Sequence, residues 1–316
     1  MMILGVSACL LGENVRFDGG HKKDSFLVNS LGKYTQFVRF CPEALGFTTP
    51  RDSMRLVAGK DGLRVVNNKT TIDVTSTLKQ ASLKELDRLK QSPLCGIVFK
   101  SKSPSCGFGS AKIYLENGFA QGKGDGLFVT MCKEHFPLLP LEEESRLLDP
   151  WLRENFVMQI FAYSAFEKFK QTNPTMAQLV SFHQSYKFLL HSKDELRYRE
   201  LGRIVGNHSK KDFKDLFCEY ERLFKETIGI KSSIKKSRNV LEHMSGFLKN
   251  LLDDVEKSTL HSHIEAFAKG FVPLIVPLES IKMFAKKYDV EYLKGQVFLE
   301  PYPYELALRS ELKAYK

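Results

Sequence analysis

Three cysteines dominate the chemistry this sequence offers. Cys9 ends Ile3-Leu4-Gly5-Val6-Ser7-Ala8-Cys9, Cys41 lies in Phe37-Val38-Arg39-Phe40-Cys41-Pro42-Glu43, and Cys106 lies in Ser103-Pro104-Ser105-Cys106-Gly107. The first two close apolar runs that read as buried strands, and the third follows another such run, Cys95 to Phe99. In an open parallel sheet the carboxyl ends of the strands share one edge, which is where such folds bind ligands. Thiols far apart in the chain can therefore meet there. Three thiolates with a vacant fourth position make a reactive metal centre. If they hold an iron–sulfur cluster, one iron stays open as a Lewis acid toward a soft ligand such as sulfur. The plainer reading of any one cysteine is a small buried hydrophobe, and it suits Cys95, Cys132 and Cys218 better. Cys9, Cys41 and Cys106 differ in having polar neighbours fit for catalysis.

Glu43 follows Cys41 by two residues, with Pro42 stiffening the backbone between them. A carboxyl group beside a cluster can move a proton. Ser101, Ser103 and Ser105 crowd the approach to Cys106, where a hydroxyl can bind substrate or orient water. Arg16, Asp18, Arg51 and Asp52 sit in loops after expected strands, and arginine there can grip an anionic group. Zinc on dispersed ligands is an alternative, but no C-x-x-C pair occurs and no histidine sits at metal spacing from the three cysteines. Gly122-Lys123-Gly124-Asp125-Gly126 matches neither dinucleotide nor P-loop glycine patterns and reads as a flexible turn.

The elements that must position these residues follow an α/β grammar. Strands are expected at Ile3–Ala8, leading into Cys41, at Cys95–Phe99 and at Ala111–Leu115, with a hairpin around Asn67-Asn68. Helices are expected near Ser25–Leu31, at Thr77–Lys90 and after Asp125. Alternating strands and helices predict a domain with a largely parallel sheet over residues 1–145. Beyond Asp149-Pro150 the pattern turns helical, with helices expected at Trp151–Lys170, Thr175–His191, Asp212–Thr227, Arg238–Glu256 and Leu260–Ala268. Residues 146–316 thus read as an all-α domain.

With 316 residues, 43% hydrophobic and 27% charged, the chain has the composition of a two-domain globular protein. Six cysteines are too few for a disulfide scaffold, so reduced thiols in a cytoplasmic protein are the expectation. Val6-Ser7-Ala8-Cys9 looks like a lipoprotein cleavage box, but no basic residue and no apolar stretch of signal length precede it. No apolar run reaches the roughly 18–20 residues of a membrane span. The net charge of +10 is spread over both halves, which favours anions in general and leaves tRNA or other nucleic acid as a possible partner.

Val6-Ser7-Ala8-Cys9-Leu10-Leu11-Gly12, Arg16-Phe17-Asp18-Gly19, Cys41-Pro42-Glu43 with Pro50-Arg51, and Lys100-Ser101-Lys102-Ser103-Pro104-Ser105-Cys106-Gly107 together resemble the thiouracil desulfurase family. The resemblance covers roughly residues 1–140. It implies a Rossmann-like domain with a 4Fe-4S cluster on Cys9, Cys41 and Cys106, removing sulfur from a thiolated pyrimidine base, nucleoside or nucleotide. It also implies catalytic roles for Glu43 and a serine of Ser103-Pro104-Ser105, with Ser103 the choice; from the loop reading above, Arg16, Asp18, Arg51, Ser101 and Ser105 are the expected substrate contacts. The chain departs from the family's pattern at Gly46-Phe47, where a second glycine is common. The second half is similar to the helical domain of YbgA-like proteins, through Phe182-His183-Gln184-Ser185-Tyr186-Lys187, Leu189-Leu190-His191-Ser192, Tyr198, Leu201-Gly202 and Pro301-Tyr302-Pro303-Tyr304-Glu305-Leu306. His183, Lys187 and His191 recur every fourth residue and are expected to share a helix face. The rival readings are a nucleic-acid-binding or repair-associated protein with a structural cluster, and a zinc-stabilised interaction module.

Overall fold

In the computed structural model, which describes residues 1–59, 62–208 and 210–307, the chain divides into two compact units, Met1–Phe156 and Val157–Lys316. The strands of the first unit are β1 (Met2–Ser7), β2 (Thr35–Phe40), β3 (Met54–Gly59), β4 (Gly62–Asn67), β5 (Leu94–Phe99), β6 (Ala111–Leu115), β7 (Ala120–Gly124) and β8 (Leu141–Glu143). Its helices are α1 (Pro42–Gly46), α2 (Thr75–Lys90) and α3 (Leu127–His135). Within β5 every residue is buried, as the unbroken apolar run Leu94-Cys95-Gly96-Ile97-Val98-Phe99 requires of a strand covered on both faces.

The first sheet has the order β2-β1-β5-β8 with every pair parallel. From β1 the chain steps outward to β2, then crosses back past β1 to β5 and on to β8. The reversal lies between β1 and β5, so the connections leaving their carboxyl ends diverge and open a crevice. Cys9 follows β1, Cys41 follows β2, and the Ser101–Cys106 segment follows β5. All three therefore start from one edge of one sheet.

The second sheet, β4-β3-β6-β7, is mixed. Leu56 and Val65 pair across β3 and β4 and form a buried cluster with Leu78 of α2 and Ala111 of β6. The regular hairpin joins β3 to β4, while the turn expected around Asn67-Asn68 folds back through Asn67 N to Ile72 O and Val74 N to Val65 O bonds and a single Val66–Asp73 bridge, short of a full strand. The reason is local: Asn67 Oδ1 accepts from the Lys69 and Thr70 amides, and the Thr75 hydroxyl bonds Val65 N at the start of α2. The chain enters the helix before a second strand can form. The Gly122-Lys123-Gly124 stretch, expected as a turn, is instead part of edge strand β7.

The second half is helical: α4 (Pro150–Gln171), α5 (Met176–Lys193), α6 (Glu195–Gly206), α7 (Phe213–Gly229), α8 (Ile234–Gly246), α9 (Asp254–Ala268), α10 (Ile275–Lys287) and α11 (Glu291–Lys294). The boundary between the two compact units falls inside α4. The single helix expected over Arg238–Glu256 is two, because Asp253 caps α9 in a reciprocal box with Glu256. Among the helices the pattern reading missed, α10 carries Pro277 in its first turn, where no intrahelical amide bond is lost. No helix among the described residues is long and apolar enough to cross a membrane.

Candidate functional site

A cavity of about 360 Å³ opens at the crevice between β1 and β5, within the size range of small-molecule sites. Its wall includes Cys9, Cys41 and Cys106, together with Glu43, Arg16, Arg51, Ser101, Ser103 and Ser105. Asp18 is not part of that wall. It is exposed and pairs with Arg16 at 3.3 Å. The Gly20 amide, then the Arg16 guanidinium, holds its carboxyl below the usual range. Asp52 likewise lies off the wall, within 3.4 Å of Asn67 Nδ2.

Each cysteine is set by its own local structure. Cys9 sits in a single 3-10 turn, Ala8–Leu11, ended by Gly12 at φ 97°, a left-handed conformation that glycine adopts without a Cβ penalty. Cys41 is the N-cap of α1: its sulfur accepts from Ala44 N at 3.4 Å, and Pro42 opens the helix. The Cys41 amide donates to Glu85 Oε1 of α2 at 2.9 Å. Cys106 is held by Ser103, whose hydroxyl oxygen accepts from Ser105 N at 3.2 Å and Cys106 N at 3.1 Å. Gly126, ahead of α3, abuts this turn: a Cβ there would lie 2.5 Å from the Ser105 carbonyl carbon and 2.9 Å from Cys106 N.

Glu43 joins the Cys41 and Cys106 segments. Its Oε1 accepts from Ser103 Oγ at 2.8 Å and Ser105 Oγ at 2.6 Å, and its Oε2 accepts from Arg51 Nη2 at 2.8 Å. Arg51 also donates to Val15 O at 3.1 Å, while its Nε is buried with no hydrogen-bond partner among the described residues. Both residues are largely buried, with side chains 7% and 14% exposed for Arg51 and Glu43. Burial, then the neighbouring Cys41, pushes the Cys9 thiol up to about 12. Burial also lifts Cys41 to about 11, against the Ala44 N–H bond, and drives Cys106 well above its ordinary value. Burial thus favours the protonated form of all three thiols.

A bound metal displaces such protons outright. Among the described residues no three His, Cys, Asp or Glu side chains group closely enough for a single ion. A multi-iron cluster takes one thiolate per iron corner and needs no such convergence. Soft sulfur donors on one cavity wall suit an iron–sulfur cluster.

The remaining thiols lie off the cavity wall: Cys95 and Cys132 are buried, and Cys218, expected to pack, is exposed on α7. Burial alone raises Cys132. Glu85 escaped the sequence reading, and Lys100, which lines the cavity, entered it only as part of the Lys100–Gly107 motif with no role of its own. A carboxylate on a helix otherwise patterned by leucines carries no signal of the strand end it reaches. In the helical unit His183 and His191 both stack on Tyr198, at 5.9 and 5.4 Å between ring centres. Lys187 lies over Phe188 at 5.2 Å.

The architecture is an α/β unit with a parallel sheet and a thiol-lined cavity at its switch point, followed by a helical unit. Residues 4–144 match the family described as 2-thiouracil desulfurase, and residues 187–303 match a protein of unknown function (DUF1722). The chain belongs to the 2-thiouracil desulfurase family through its N-terminal region, with a domain of the second family behind it. YbbK of Bacillus subtilis (strain 168) is 34% identical over 143 residues, which are 42% of this chain and 90% of YbbK. YbgA of Escherichia coli (strain K12) is 29% identical over 159 residues, 49% of this chain and 93% of YbgA. Both relatives are described only as uncharacterized proteins. A solved structure of a 4Fe-4S-dependent thiouracil desulfidase, TudS, is 29% identical with a TM-score of 0.39, covering 46% of this chain and 93% of that one.

Proposed function

We propose that residues 1–145 form an iron–sulfur enzyme that hydrolytically removes sulfur from thiolated pyrimidines, with Cys9, Cys41 and Cys106 holding a 4Fe-4S cluster. The observation that carries this reading is the Glu43 carboxylate, tied to Ser103 and Ser105 within the wall that also bears the three thiols. When bound, the cluster would supply a Lewis-acidic iron with an open position for sulfur. The protein's own groups supply the rest. Glu43 Oε1 is placed to take a proton from the water that attacks the ring carbon and to return it to the departing sulfur. Ser105 and Ser103 keep that oxygen aimed, and Arg51 locks the other, so the carboxylate cannot swing away. Water replaces sulfur and hydrosulfide leaves, so no electron is gained or lost.

The test is hydrosulfide release from 2-thiouracil by anaerobically reconstituted protein. Glu43→Gln should retain the cluster absorption yet lose activity by about 100-fold or more. Cluster-loaded wild type that forms no uracil, or Glu43→Gln at the wild-type rate, defeats the proposal.

A further inference from the structure

The Ser101–Ser110 segment carries Ser103, Ser105 and Cys106, and two adjacent carboxylates hold its two ends. At the leading end, Glu144 accepts from Ser101 N at 2.7 Å, from Ser101 Oγ at 2.8 Å and from the Lys100 ammonium. At the trailing end, Glu143 Oε2 accepts from Phe108 N at 3.1 Å and Ser110 Oγ at 2.5 Å. Ser110 Oγ in turn accepts from Lys102 N at 2.8 Å, which staples the two limbs together. The other Glu143 oxygen accepts from Ser145 Oγ at 2.7 Å. Glu143 is 3% exposed. Sheet register places the pair: β8 lies parallel to β5 with Phe99 opposite Glu143, so both carboxylates stand where the loop begins.

We propose that Glu143 and Glu144 are positioning residues that hold the Cys106 loop in order. The proposal rests on the cavity reading above for its catalytic meaning, but its test does not. A loop bearing three site residues between a strand and the next strand pays ordering entropy each time it must be organised. Charged acceptors that bind its backbone amides at both ends offset that cost. Neither carboxylate lines the cavity, so each acts through the loop and not on a substrate.

The experiment is site-resolved alkylation of the apoprotein with iodoacetamide, read by mass spectrometry at each cysteine. Cys132, fully buried in α3, serves as the internal reporter of global opening. Glu143→Ala and Glu144→Ala should each speed Cys106 alkylation about tenfold or more while Cys132 stays slow, since the charged-acceptor hydrogen bonds to the loop are lost. Glu143→Gln should restore the slow rate, because its amide oxygen still accepts from Phe108 N and Ser110 Oγ. Ser110→Ala, a milder lesion in a partly buried hydroxyl, should raise the Cys106 rate with the fold intact. An unchanged Cys106 rate in both alanine variants and in Ser110→Ala overturns the proposal, as does an equal rise at Cys132. If the protein proves to have no desulfurase activity yet Cys106 alone becomes reactive, the positioning role stands and only the enzymatic reading fails.

Discussion

Replacing Gly126 by alanine probes how tightly the Cys106 turn is seated on α3. Its backbone, at φ −69° and ψ 159°, suits any residue, so conformational strain is no part of the effect. Alanine would even reduce the entropy of the unfolded chain, a gain of about 0.4–1 kcal/mol. Against this, the new Cβ would stand 2.5 Å from the Ser105 carbonyl carbon, and real contacts begin near 3.0 Å. Two backbone segments must part by about 0.5 Å. Overpacking of this kind costs about 1–3 kcal/mol. The movement also stretches Gly126 N to Gly107 O, Leu127 N to Pro104 O and Phe128 N to Ser105 O, bonds of 2.8, 2.9 and 3.0 Å. Each is worth about 0.5–1.5 kcal/mol net. The expected balance is a loss of about 2–4 kcal/mol. Gly122→Ala is the matched control, because a Cβ there meets nothing within 4 Å among the described residues on an exposed strand, and should stay within about 0.5 kcal/mol. Urea denaturation measures both, and hydrogen exchange at Phe128 and Val129 localises the change. If Gly126→Ala is as stable as Gly122→Ala, the close approach described here is wrong.

Arg51→Met should lower stability by about 3–5 kcal/mol, because it leaves the buried Glu43 without its counter-charge. Arg51→Lys should recover less than half of that, since one ammonium cannot reproduce the fork that also reaches Val15 O and Thr49 Oγ1. Equal denaturation midpoints for wild type and Arg51→Met would refute this. In the helical unit, burial and then Lys187 lower His183 to about 4, with its ring stacked on Tyr198 and its Nδ1 at 3.1 Å from Tyr220 Oη. Because the unfolded chain binds this proton near 6.5, the native state loses stability as pH falls from about 6.5 to 4, by about 3 kcal/mol in all, and nothing above 6.5. Thermal unfolding of wild type and His183→Gln across that range checks it: the variant's midpoint should fall less steeply on the acid side, and parallel curves would dismiss the assignment.

Local pattern was enough to read the α/β unit ahead of a helical one. Burial of β1 and β5 on both faces demands the apolar runs that end near Cys9 and Cys106, and α5 begins at a Thr175–Gln178 capping box plain in the sequence. The Asp253–Glu256 box was equally present and was overridden by an apolar period that ran through it. Candidate site residues were legible as types, since thiols, a carboxyl and serines each follow a strand. Their partnership was not. That Glu43 meets Ser103 and Ser105 across some 60 residues, that Glu85 reaches Cys41 N, and that Asp18 stays off the wall depend on which strands lie side by side. Strand order is a product of long-range pairing, and no short-range periodicity encodes it. Leu141-Glu142-Glu143-Glu144 shows the difference most plainly: as sequence it reads as a break between domains, and only the placement of β8 beside β5 turns two of its acids toward the Cys106 loop.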